Sequence, residues 1–212
     1  MNRSTLFEAI ETAYEWAQAT LDLSQCYYGE PHWKGPFVSS PYPYYFFLAG
    51  LAAQLRCRRI LEMGTHFGGS IFSIARGLEH SGILQTAEIV TIDTNDSNRA
   101  AFRTSQPVKR ILGNCLDRRV ARQAASEFTG SVDLMFVDTT HTYEHTQSCL
   151  ETYIPLVLPR LVIVDDIRLN DSMSELWKDL VSNYGNCAID ITDHSRRGKE
   201  VGFGLLICGF AD

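Results

Sequence analysis

The chain has no long apolar run, no Cys-x-x-Cys pair and no excess of basic residues, and each absence removes a class of function. Nowhere in its 212 residues is there a run of the roughly 18 apolar residues needed to cross a bilayer. The start, Met1-Asn-Arg-Ser-Thr, lacks the apolar segment of a secretory signal. The expectation is a soluble cytoplasmic protein with no membrane partner. A formal net charge of −6 argues against nucleic acid as a partner. Cys26, Cys57, Cys115, Cys149, Cys187 and Cys208 are scattered, and a chain of this size needs no covalent staples. They read as reduced thiols, mainly in the core. No internal repeat and no low-complexity segment interrupts the chain.

What is present fits a single domain spanning 1–212. Leu6, Ile10, Ala13, Ala17 and Leu21 fall at helical spacing with Ser4 available as N-cap, so residues 5–23 predict an amphipathic helix, a plausible contact for a homodimer. From Ser24 to Tyr45 the composition changes to aromatics and glycine, and Pro31, Pro36, Pro41 and Pro43 exclude long regular elements. This stretch reads as an ordered cover, either a loop stapled to the core by its aromatics or a lid facing a substrate. Residues 1–45 thus form a helix and lid segment, and 46–212 an α/β core.

In the core, helical and strand patterns alternate. Strands are expected at 59–64, 88–93, 108–113, 132–138, 160–165, 187–192 and 201–208. Helices are expected from 46 to about 56, at 69–80, near 98–105, and at 118–128, 142–156 and 172–184. The strand runs are continuously apolar, as in strands buried on both faces, so the fold class is a doubly wound, mostly parallel seven-stranded sheet. Only the polar loop Asp193-His-Ser-Arg-Arg-Gly-Lys-Glu joins the last two strands. Without a crossover helix they must pair antiparallel.

Four of the apolar runs stop at carboxylates: Arg59-Ile-Leu-Glu62, Ile89-Val-Thr-Ile-Asp93, Leu134-Met-Phe-Val-Asp138 and Leu161-Val-Ile-Val-Asp165-Asp166. Any one of these acids could merely end a strand or cap a helix. Together they crowd one rim of the sheet, where α/β folds bind ligands. The turn Glu62-Met-Gly64-Thr-His-Phe-Gly68-Gly69-Ser70 leads directly into a helix, so its backbone can approach a ligand closely. It matches neither the Gly-x-Gly-x-x-Gly of dinucleotide folds, which disfavours a nicotinamide-dependent dehydrogenase, nor a phosphate loop. Thirty-one residues after Glu62, Asp93 stands where an acid can grip both hydroxyls of a ribose. A glycine turn followed by a ribose acid implies an adenosine-type cofactor.

These residues resemble the class I S-adenosylmethionine-dependent methyltransferases. Leu61-Glu62-Met-Gly64-Thr-His-Phe-Gly68-Gly69-Ser70 looks like the family's first cofactor motif and Val90-Thr-Ile-Asp93 like its second. Within the class the chain is most similar to small metal-dependent O-methyltransferases of the catechol type and to bacterial enzymes acting on sugars and natural products. The resemblance implies that Glu62, Gly64, Thr65 and Ser70 hold the amino-acid half of S-adenosylmethionine. It places the ribose on Asp93 and the adenine edge on Asn114 and Cys115, with Asp138 at the junction of cofactor and acceptor.

Asp138, Asp165 and Asp166 end two strands expected to be neighbours. Three carboxylates at such close quarters repel unless a cation or shared protons intervene. An all-oxygen set suits Mg²⁺, Ca²⁺ or Mn²⁺, with Mg²⁺ the favoured metal. The catechol-type enzymes place an Asp-Asn pair where this chain has Asp165-Asp166. His141, three residues past Asp138, occupies the offset that carries their catalytic lysine. Its ordinary pKa of about 6.5 suits a general base acting on a small-molecule hydroxyl. Other readings remain: a structural histidine, a metal-independent methyltransferase and a non-catalytic cofactor-binding protein. The run His141-Thr-Tyr-Glu144-His145 also matches a zinc-peptidase pattern, but it begins at a strand-helix corner rather than within a helix.

Overall fold

A computed structural model describes residues 2–26, 41–97 and 107–209. Its centre is a seven-stranded sheet formed by β1 (Arg59–Met63), β2 (Glu88–Asp93), β3 (Val108–Leu112), β4 (Leu134–Val137), β5 (Leu161–Asp165), β6 (Ala188–Asp190) and β7 (Phe203–Ile207). The order across the sheet is β3-β2-β1-β4-β5-β7-β6. The first five strands run parallel and β7 runs antiparallel to both of its neighbours. The expected doubly wound sheet with an antiparallel last strand is therefore present. The order in which strands are added reverses at β1, with β2 and β3 on one side and β4 and β5 on the other, and ligand crevices in such sheets open at that switch.

Alternate residues of each strand feed two separate cores. Ile60, Ile89, Leu134, Phe136, Ile163 and Leu205 pack under α1 (Arg3–Thr20), α2 (Pro43–Gln54) and α3 (Gly69–His80). Leu61, Val90, Met135, Val162 and Leu206 pack under α4 (Arg118–Ser126), α5 (Tyr143–Val157) and α6 (Asp171–Tyr184). Covering both faces is what makes the strands apolar throughout.

The helix at the start is capped by Asn2, whose side chain accepts from the Thr5 N–H at 2.8 Å, so α1 begins ahead of the expected Ser4 cap. Its apolar face (Leu6, Ala9, Ile10, Ala13, Ala17) is buried within the chain, against α2. That face is not free for a second copy, which removes the reason for a dimer contact there. Pro43 opens α2 rather than excluding it, because a proline in the first turn lacks only an N–H that would have no helical partner. Tyr44 and Tyr45 consequently belong to a helix and not to a loop. Most of the expected lid and the helix near 98–105 lie outside the described residues. The polar loop before β7 holds a four-residue helix, α7 (Thr192–Ser195), where none is expected. No helix among the described residues is long and apolar enough to cross a membrane.

Close helix packing on the first face depends on missing side chains. A Cβ at Gly50 would sit 2.1 Å from the Ala13 carbonyl oxygen, and one at Gly77 would sit 2.3 Å from that of Ala49. Gly50→Ala would gain about 1 kcal/mol in helix propensity. The backbone clash forces α1 and α2 apart and outweighs that gain, so the variant should lose about 1–3 kcal/mol overall. A lower denaturant midpoint at unchanged slope is the expected result.

Candidate functional site

Gly64 follows β1 with φ +95, and a Cβ there would lie 1.5 Å from the Asp138 carbonyl oxygen. The carboxyl ends of β1 and β4 can therefore touch only through a glycine. Gly68, also left-handed at φ 87, caps α3. Between them His66 donates its backbone N–H to Asp93 Oδ2 at 2.7 Å, while Asn95 donates to Oδ1 at 2.8 Å. The glycine turn and the acid of β2 are thereby tied together.

A cavity of about 460 Å³ opens at this rim, lined by Gly64, Asp93, Asn114, Cys115, Asp138 and Thr139 among others. A smaller hollow of about 40 Å³ lies beside it between Tyr44, Tyr45, Thr65, Ser70 and Asp138. Asp138 borders both. Gly64, Asp93, Asn114, Cys115 and Asp138 thus share one cavity. Asn114 uses its side-chain oxygen to accept from the Leu116 N–H at 2.9 Å, which fixes the turn carrying it.

Glu62 is placed differently. It is fully buried beneath the turn, lines neither cavity, and accepts hydrogen bonds from the Ser70 and Thr91 hydroxyls. Thr65 joins the same network through the Thr91 hydroxyl at 2.6 Å. Its position inside β1, one residue short of the strand end, turns it into the protein, where these bonds pin β1, β2 and the start of α3. Burial raises its pKa to about 8 despite the two hydroxyl donors, with Asp138 and Asp93 adding to the rise.

At the carboxyl ends of β4 and β5 lies a charge cluster. Asp166 sits at φ 57, an uncommon conformation for a residue with a side chain. The left-handed turn brings its carboxylate back toward that of Asp165, so one guanidinium meets both. Arg197 donates from Nε to Asp165 Oδ1 at 2.8 Å, and from Nη2 to Asp165 Oδ2 at 3.1 Å and Asp166 Oδ1 at 2.6 Å. Its guanidinium also lies 4.7 Å from the centre of the Tyr44 ring. Burial and the facing Asp138 push Asp165 upward against the pull of Arg197. The acids outweigh the desolvation of Arg197 and hold it above its ordinary value.

His141 Nε2 is buried without a hydrogen bond, with Asp138 Oδ1 at 3.4 Å and Asp166 Oδ2 at 3.6 Å. Burial alone would lower its pKa, but Asp138 and then Asp166 outweigh it and hold the imidazole above 6.5. Asn170, the N-cap of α6, donates to the His141 carbonyl at 3.0 Å and fixes this corner. Neither Asn170 nor the part taken by Arg197 was legible in the sequence. A surplus of three acids signalled a cation, but no spacing rule singled out Arg197.

The same geometry bears on the expected divalent ion. Asp138, His141 and Asp165 offer donor atoms within 4.8 Å of one another. However, both oxygens of Asp165 and one of Asp166 are already engaged by Arg197. A six-coordinate ion on Asp138, Asp165 and Asp166 does not fit the side chains in this arrangement.

An open α/β sheet with a glycine turn and an acid-lined cavity at its switch point is the framework of an enzyme that binds a nucleoside-type cofactor. The chain belongs to a methyltransferase family: the family model described as "Methyltransferase domain" matches residues 61–167. An uncharacterized protein, y4gI of Sinorhizobium fredii, is 32% identical over 171 residues, covering 74% of this chain but only 18% of that protein. The chain thus spans under a fifth of that relative's length. Among solved structures, the O-methyltransferase from Bacillus cereus in complex with SAH superposes with a TM-score of 0.60 at 21% identity, over 99% of this chain and 92% of that one. TomG from Streptomyces achromogenes, an O-methyltransferase involved in tomaymycin synthesis and solved with SAM, gives 0.60 at 20% identity, over 99% and 92%. These two share the fold.

The buried Glu62 generates a test. Its carboxyl keeps its proton in the folded chain up to about pH 8, whereas the ordinary value is 4.5. Between those limits the folded state binds more protons than the unfolded one, so this group's contribution to stability falls as pH rises. Denaturant titrations across that window should show wild type losing a few kcal/mol relative to Glu62→Gln, most of it by the upper limit. A pH-independent difference would contradict the assignment.

Proposed function

We propose that the chain transfers the methyl group of S-adenosylmethionine to a hydroxyl of a small molecule, with His141 as general base. One observation carries this reading: a single cavity joins the glycine turn and Asp93 to Asp138, with His141 and Arg197 at the carboxylate cluster beyond. Membership of a methyltransferase family and the SAH and SAM complexes of two proteins of the same fold support the choice of cofactor.

The residues present suit that cofactor. Gly64 lines the cavity with backbone alone, and Asp93, held by two backbone N–H groups, keeps its remaining lone pairs for the ribose hydroxyls. Thr65 and Ser70 flank the smaller hollow, near the amino-acid half, and Asn114 and Cys115 border the adenine end. When bound, S-adenosylmethionine supplies an electrophilic methyl carbon: the acceptor oxygen bonds to it as its bond to sulfur breaks, and the hydroxyl proton passes to His141. His141 must first be neutral. Since Asp138 and Asp166 raise its pKa, the rate should climb with pH through an apparent value above 6.5.

Arg197 supplies the positive charge that three carboxylates require, and orders Asp165 and Asp166 beside the acceptor. The acceptor is a sugar or phenolic hydroxyl of a natural product, a reading supported by the likeness to TomG. A second reading puts Mg²⁺ on Asp138, Asp165 and Asp166. It is favoured by the tight Asp138, His141 and Asp165 grouping and requires Arg197 to swing away. A non-catalytic cofactor-binding protein would bind S-adenosylmethionine yet methylate nothing.

Methyl transfer to a panel of phenolic and sugar acceptors tests the reading. His141→Ala should lower kcat at least about 100-fold, with binding of S-adenosylhomocysteine nearly unchanged. Asp93→Ala should instead abolish that binding. Activity should survive a strong chelator, and calorimetry should detect no Mg²⁺ binding to wild type. Chelator-sensitive turnover with Mg²⁺ bound would establish the second reading.

A further inference from the structure

The proposed reaction gives no role to His145 and Cys149, which cluster with Cys115 at the adenine end of the cavity. On α5, His145 and Cys149 are four residues apart and face the same side, where they meet Cys115 from the segment after β3. Cys115 Sγ lies 3.6 Å from His145 Nε2 and 3.7 Å from Cys149 Sγ. The three donor atoms all fall within 4.8 Å of one another. A tetrahedral zinc ion, with Zn–S of about 2.3 Å and Zn–N of about 2.0–2.1 Å, has S···S edges of about 3.8 Å and S···N edges of about 3.6 Å. The S···N distance of 3.6 Å and the S···S distance of 3.7 Å match those edges.

We propose that Cys115, His145 and Cys149 form a binding site for a thiophilic divalent cation, Zn²⁺, separate from the carboxylate cluster. Two thiolates and an imidazole select such an ion over Mg²⁺ or Ca²⁺, which need oxygen donors. Its framework is rigid: the Tyr153 hydroxyl donates to the Cys115 carbonyl at 2.9 Å, and Cys149 is fully buried in the helix core. Thr139 Oγ1 lies 3.4 Å from His145 Nε2. Cys115, His145 and Thr139 all line the large cavity, so the fourth position of the ion faces that space. Three protein ligands with one open position is a stable arrangement for zinc. Binding releases the thiol protons to solvent and therefore strengthens with pH.

Zinc titration of the full, reduced chain against a chromophoric chelator tests the site and does not depend on any methyl transfer. One Zn²⁺ per chain, bound below about 1 μM, is expected. Both His145→Ala and Cys149→Ala should weaken it at least about a hundredfold, while Asp138→Asn should leave it unchanged. His145 is only part-buried, so its variant should fold even where loss of Cys149 disturbs the core, which thermal melts of both variants check. With cobalt in place of zinc, thiolate charge-transfer bands should appear. Absence of stoichiometric zinc in wild type, affinity retained by His145→Ala, or affinity lost in Asp138→Asn would overturn the proposal.

Discussion

Three carboxylates share the rim of the sheet with one guanidinium, and the structure at the ends of β4 and β5 depends on that balance. Asp165 is almost wholly buried, and a carboxylate in that position is costly unless a cation answers it. Arg197 does so, donating from Nε and Nη2. The left-handed turn at Asp166, the ring of Tyr44 against the guanidinium and the short helix that delivers Arg197 are all arranged around this contact. Removing Arg197 would leave like charges facing one another in a poorly solvated place. Removing the acids would strand a buried cation.

The rim is divided by what each acid can reach. Asp93 opens onto the large cavity and is oriented by two backbone amides. Asp138 stands at the junction, with its carbonyl against Gly64 and its carboxylate toward His141. Glu62 faces inward and serves as foundation, since its links to Ser70 and Thr91 hold the first turn on the second strand. The apparently repeated feature of an acid after an apolar run therefore comprises a buried strut, a carboxylate on the cavity wall and a cluster answered by a guanidinium.

Much of this was legible in the sequence because the relevant signals are local. Continuous apolar runs announced the buried strands, and Gly64 and Asp93 sit where strand ends must place them. The chain order also identified β4 and β5 as neighbours, so Asp138 and Asp165 were expected together. What escaped depends on contacts remote in sequence or on shifts of one residue. Pro43 looked like an obstacle and proved to be a helix start, since its missing N–H costs nothing there. Glu62 looked like a rim residue, but β1 runs one residue beyond it. Arg197 was one arginine in a polar loop, and only the fold shows that this loop ends over Asp165.

The central claim is that one cavity holds the cofactor against Asp93 while Arg197, rather than a metal, balances the acceptor carboxylates. A crystal structure of the chain grown with S-adenosylhomocysteine and excess MgCl₂ tests it most directly. The account predicts ribose hydroxyls on Asp93, adenine beside Asn114, and Arg197 still joined to Asp165 and Asp166. Density for a divalent ion on Asp138, Asp165 and Asp166 with Arg197 displaced, or a nucleoside bound away from Asp93, would contradict it.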